Sequence, residues 1–127
     1  MSGNDEQISQ DMTAPVHCDL AHLLSKIPGA ISTKWPQGER FVQALTHGTM
    51  SVELYAPLHE DPQTPHAQDE LYFVLSGDST FVHEGVRVRV SAGSALFVPS
   101  GDQHRFEDFS SDFVTWVVFW GPEGGER

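Results

Sequence analysis

Three residues in the middle of the chain could do chemistry together: His66, Glu70 and His104. His66 follows a loop broken by Pro57, Pro62 and Pro65, and Glu70 opens the apolar run Glu-Leu-Tyr-Phe-Val-Leu-Ser. His104 follows the turn residues Pro99, Ser100, Gly101 and Asp102 and opens another short run. Two neutral imidazoles and a carboxylate at strand starts can converge inside a small barrel. That donor set suits one divalent cation, iron(II), manganese(II) or zinc(II), with open positions left over. In an extended chain alternate side chains share a face. Tyr72 should therefore lie beside Glu70, and Phe106 beside His104, as candidate substrate-binding residues. Phe41 and Gln43, on an earlier strand, are further candidates for lining the cavity. Any one of these residues alone reads as solvated surface or core; the combination points to a site.

The elements that must position them follow from periodicity. Leu20, Leu23, Leu24 and Ile27 fall at i, i+3, i+4 and i+7, Asp19 can cap the N-terminus, and Pro28-Gly29 stops the run. The spacing predicts one short helix over 19–27. After Gly29 the period changes to two. Strands are predicted over 40–46 and 49–56, joined by a two-residue turn at His47-Gly48, then over 70–76, 79–83, 86–90, 95–98, 104–109 and 113–120. The 79–83 and 86–90 runs pair around Glu84-Gly85, with Phe81 facing Val88 and with Arg87 and Arg89 on the other face. No helix pattern alternates with these strands, so a parallel βαβ fold is excluded, and an all-β antiparallel sandwich or small barrel is expected. Residues 1–14 read as a flexible tail, 15–34 as helix and linker, 35–120 as the barrel, and 121–127 as a flexible C-terminal tail.

Composition narrows the function. The chain of 127 residues is 39% hydrophobic and 20% charged, one globular domain with room for a core. Its formal net charge of −11 disfavours nucleic acid and anionic membrane surfaces as partners. No run approaches the roughly 20 apolar residues of a membrane helix. The polar, acidic opening residues lack signal-peptide chemistry, so a cytoplasmic location is expected. The single cysteine, Cys18, excludes an internal disulfide framework and a multi-thiolate zinc site.

The two blocks that hold the candidate ligands resemble the two motifs of the cupin superfamily. His66, three residues, Glu70, six residues and Gly77 match the second half of the first motif. Gly93, five residues, Pro99, one residue, Gly101, two residues and His104 match the second, with Asp108 where that motif carries Asn. The resemblance implies a jelly-roll barrel, a homodimer paired through residues 31–45, and a metal site of three histidines and one glutamate. Thr64 stands where the first ligand histidine is expected, and Leu58 where a glycine is expected. Three readings stay open at this point. His66, Glu70 and His104 form a facial triad; or His59 or Gln63 supplies a fourth ligand; or the polar residues contact a ligand without metal. The functions implied are a metal-dependent enzyme on a small organic molecule, of oxygenase, isomerase or lyase type, or a non-catalytic binder of a sugar or other metabolite.

Overall fold

The computed structural model describes residues 15–127, so the expected tail over residues 1–14 lies outside the described residues. The predicted helix is shorter than its apolar period: α1 spans Leu20–Leu24. Asp19 caps it by accepting the Ala21 N–H at 3.3 Å. At the other end the Lys26 and Ile27 N–H groups reach back only three residues, to the Leu23 and Leu24 carbonyls, and Pro28 cannot continue the ladder. Leu23 is buried, while Leu20 and Leu24 stay exposed. Among the described residues no helix is long and apolar enough to cross a membrane.

Eight strands follow: β1 (Phe41–His47), β2 (Met50–Tyr55), β3 (Asp69–Ser76), β4 (Asp78–His83), β5 (Val86–Ser91), β6 (Ala95–Val98), β7 (His104–Glu107) and β8 (Val114–Trp120). They form two antiparallel sheets, ordered β1-β2-β8-β3-β6 and β5-β4-β7. The architecture is a jelly roll whose two sheets pack face to face without hydrogen-bonding into one closed cylinder. The first hairpin turns one residue later than expected. His47 pairs with Met50, so residues 48 and 49 make the turn, and Gly48 takes the left-handed first position at φ 56°. The second hairpin pairs Phe81 with Val88, as the alternation requires. Strand β7 ends two residues early because Asp108 turns the chain at φ 49°.

Gly77 is the corner between the sheets. It is the single residue between β3 and β4, with φ 74°, and a Cβ there would lie 2.7 Å from the Phe113 Cα. A side chain would collide with backbone, so glycine is required at this position.

Strand register sets the inner face of the larger sheet. Ser51, Phe119, Glu70 and Val98 form one row across β2, β8, β3 and β6; Glu53, Val117, Tyr72 and Leu96 form the next; Tyr55, Thr115 and Val74 the third. Beneath the polar end of these rows, Tyr72, Val74, Val98 and Val117 meet Phe81, Val90, Phe106 and Phe113 in the main core. Phe106 lies 4.8 Å from Phe113 and 5.2 Å from Phe81 between ring centroids. Each such buried ring stabilises the fold by roughly 1.5–3 kcal/mol. On the outer face, Leu23 of α1 covers Leu54, Ala56 and Val114.

The last residues, expected to be a flexible tail, are hydrogen-bonded to the body. The Gly121 N–H donates to Thr49 Oγ1 (3.0 Å), Gly124 N–H to the Ala67 carbonyl (2.8 Å) and Glu126 N–H to Asp69 Oδ2 (3.0 Å). The anchor is Asp69, an acid at a strand start whose role the residue types alone did not signal.

Candidate metal centre

Of the three candidate ligands, His66 precedes β3, Glu70 lies at the start of β3 and His104 opens β7, and the segments leading into the two strands are stitched together. The Gly101 N–H donates to the His66 carbonyl at 2.8 Å, and Ser100 Oγ donates to the Ala67 carbonyl at 2.6 Å. Asp69 accepts the Ser100 N–H at 2.9 Å as well as that of Glu126. These bonds hold the start of β3 against the loop before β7. As a result, ligand atoms of His66, Glu70 and His104 all lie within 4.8 Å of one another.

Glu70 is the centre of the group and is 1% exposed. Its Oε2 lies 3.5 Å from His66 Nδ1 and 3.4 Å from His104 Nε2. Its Oε1 accepts the Tyr72 hydroxyl at 2.8 Å. His104 Nδ1 is 3.1 Å from the Asp102 carbonyl, which can only accept, so Nδ1 carries the hydrogen. In the neutral ring the Nε2 lone pair then faces a carboxylate oxygen. Two acceptors so placed repel unless a proton or a cation lies between them. The His66 Nδ1 is buried and has no hydrogen-bond partner. An orphaned imidazole nitrogen, an aimed Nε2 and a carboxylate between them fit a divalent cation, which would satisfy all three.

Electrostatics divides the two histidines. Burial pushes the His66 imidazole below its ordinary 6.5, against the pull of Glu70. Burial acts the same way on His104, but there the hydrogen bond and charge of Glu70 win and the value rises. Burial, reinforced by Glu70, holds the Tyr72 phenol well above its ordinary value, so it stays a donor. Its hydroxyl is also 3.0 Å from His104 Nε2 and 3.1 Å from Gln63 Oε1.

The other candidates fall in different places. Gln63 belongs to a polar chain in which its Nε2 donates to Asp61 Oδ2 (2.9 Å), Tyr55 donates to Asp61 Oδ1, and Asp61 accepts the Phe106 N–H (2.8 Å). Asp61 thereby pins the β2–β3 loop across to β7. Thr64 is exposed, and His59 lines a separate cavity of about 500 Å³ with Pro28, Arg40 and Pro62. Phe106 is buried in the core below the ligands. Phe41 lines a cavity of about 350 Å³ together with His66, and Gln43 is exposed on β1 beside its partner Glu53.

Glu53 was not singled out from the sequence. It lines that 350 Å³ cavity and also a neighbouring one of about 530 Å³ between Ser51, Gln68 and Pro122, both of which reach His66 and Phe119. Burial, then the negative charge of Glu70, pushes its carboxyl up. Alternation along β2 would place Ser51, Glu53 and Tyr55 together, but Val52 and Leu54 are apolar and claim the core equally well.

A sequence model described as the cupin domain matches residues 51–120, more than half of the chain. The chain belongs to the cupin family. An uncharacterized protein of Streptomyces coelicolor is 42% identical over 85 residues, covering 65% of this chain and 81% of that one. A protein of Ruegeria pomeroyi named dimethylsulfoniopropionate lyase is 33% identical over 73 residues, covering 57% of this cupin and 34% of the lyase. The cupin thus spans about a third of that lyase's length. Among solved structures, an RmlC-like cupin from Shewanella frigidimarina superposes with a TM-score of 0.60 at 13% identity, over 86% of this chain and 94% of that one. Lys34, Trp35 and Phe41 lie outside the matched region, so the family match does not describe that side of the cavity.

Proposed function

We propose that this cupin is a metal-dependent enzyme that moves a proton on a small organic molecule, as a lyase or an isomerase does. One divalent ion, iron(II), manganese(II) or zinc(II), would be held by His66, Glu70 and His104. The observation that carries the reading is that Glu53 and His66 line the same cavity, one a free-standing acid–base group and the other a ligand. Bound there, the ion would supply Lewis-acid polarisation of a substrate oxygen. The chain supplies the rest. The Glu53 carboxyl, raised by burial, is shifted toward the range in which a carboxyl can take and return a proton near neutrality. Tyr72 fixes the orientation of Glu70 from below. Trp35, Phe41, Val117 and Phe119 line the same cavity and limit water. Proton transfer is preferred to an oxygenase reaction because Glu53 has a role in it, and the similarity to a protein named as a lyase supports that class.

The test is deuterium exchange. Metal-loaded protein is incubated in D2O with a panel of small carbonyl compounds and followed by proton NMR. Exchange or elimination is expected in the wild type and lost in Glu53→Gln. Compounds that bind and are recovered with every proton in place would support the binding-module alternative instead. The pairing of two copies through residues 31–45 belongs to the same proposal, because β1 is an edge strand of its sheet. Sedimentation at micromolar concentration tests it, and a monomer would contradict it.

A further inference from the structure

We infer that Lys34 and Trp35 form a carboxylate-recognition arm, so that the ligand of this cavity is a small organic acid with its carboxylate at Lys34 and its apolar body against Trp35 and Phe41. The inference rests on the small-molecule site proposed above and names its ligand class.

The first support is charge. The chain has only seven Lys and Arg against eighteen Asp and Glu. Three of the seven, Arg87, Arg89 and Arg105, are neutralised in ion pairs on the outer face of the smaller sheet. Lys34 makes no ion pair among the described residues and is the one Lys or Arg lining the 350 Å³ cavity. A cation placed at a cavity of an acidic protein favours an anionic ligand, which the surrounding field would otherwise repel. Glu53, the carboxyl that lines the same cavity, is raised toward its neutral form and so opposes an anion less than an ordinary carboxylate would.

The second support is shape. Trp35 packs 5.8 Å from Phe41 and 6.3 Å from Tyr55 between ring centroids, which gives an aromatic wall to the cavity that Lys34 also lines. A volume of about 350 Å³ is at the small end of ligand cavities and suits a compact acid.

The third support is rigidity. The arm is an ordered loop. Ser32 N–H donates to the Trp35 carbonyl (3.0 Å), Trp35 N–H to Ser32 Oγ (3.1 Å), and Gly38 N–H to the Trp35 carbonyl (3.0 Å). Gly29 and Glu39 close its base at 2.8 Å. Gly38 is at φ 102°, and a Cβ there would meet the Pro28 Cβ at 2.6 Å. A loop held this way fixes the backbone at Lys34, so that only the exposed lysine side chain has still to be ordered on binding. Lys34 and Trp35 also line the 500 Å³ cavity with His59, so the arm is the partition between the two.

The test is calorimetric titration with benzoate, phenylacetate, cinnamate and butanoate, each against its amide, on protein with and without added zinc. Wild type is expected to prefer acids to amides. Lys34→Met should lose that preference by about tenfold or more, the scale of one hydrogen bond to a charged group, and Lys34→Arg should retain it. Phe41→Val should weaken acids and amides alike, since Phe41 lines the 350 Å³ cavity and not the 500 Å³ one. Circular dichroism checks that each variant is folded. The inference is overturned if no acid of the panel binds, if Lys34→Met keeps the preference, or if Phe41→Val leaves affinity unchanged. Acid preference that persists without zinc, in a protein that also fails to retain zinc, would contradict the metal reading and leave this one standing.

Discussion

Strand β7 reads His-Arg-Phe-Glu, and its two faces place similar charged groups in two different surroundings. Inward, His104 meets Glu70 at 3.4 Å with both side chains out of water. Outward, Arg105 and Arg87 hold Glu107, while the neighbouring Arg89 holds Asp78 at 2.8 Å, all at the surface. The outer pairs are screened by solvent and contribute little to stability. The inner set costs desolvation and leaves an imidazole nitrogen without a partner, an arrangement that a bare fold would not favour. The inner cluster carries the donor set of the proposed metal site, and the outer one is solvated surface.

The largest effect should come from Glu70→Gln. Metal affinity, measured by calorimetry, should fall by more than the roughly hundredfold seen when a group that merely supports a ligand is lost. In chelator, at a pH where His104 is neutral, the same variant should melt no lower than wild type, because a desolvated carboxylate becomes a neutral amide that can still accept from Tyr72. A large drop in Tm would instead make Glu70 structural, and the contrast with the outer pairs would disappear.

Acidification should come next. His104 is raised, so it must lose its proton to coordinate, and metal affinity should begin to fall above the ordinary imidazole value of 6.5 as the pH drops. Without metal the sign reverses. The stabilisation from charged His104 is complete below its unfolded value and is lost as the pH rises through its raised folded value. Metal titrations and melts over the same pH series check both trends; parallel trends would contradict the assignment.

Asp69→Asn should have a smaller effect. The Glu126 N–H, then the Ser100 N–H, hold the Asp69 carboxyl below the usual range. Its stabilisation is therefore present above the unfolded value and lost as the pH falls through the lowered folded value. The variant should speed amide exchange at Ser100 and Glu126 and weaken metal binding by about tenfold, through looser positioning of the start of β3 against the loop before β7. Arg87→Ala, on the outer face, should change neither metal content nor Tm detectably.

The ladder of eight strands was legible because turn residues punctuate a sustained period of two, and the convergence of His66, Glu70 and His104 because their spacing, with Gly77, Gly93, Pro99 and Gly101, resembles the two cupin motifs. Three features were not legible, each for a physical reason. The helix ended early because the chain tightens before Pro28, which the apolar spacing through Ile27 does not reveal. Glu53 was hidden because β2 is apolar on its other face, so its period marks no inside. Asp61 and Asp69 act by accepting backbone N–H groups from residues 45 and 31 positions away, and no local pattern encodes such a partner.

We propose above that His66, Glu70 and His104 hold one divalent ion together. Elemental analysis of protein purified without added metal, wild type beside His104→Ala, tests it most directly. One iron, manganese or zinc ion per chain is expected in the wild type and none in the variant, with the same β-rich circular dichroism in both. Equal metal content in the two proteins would contradict it.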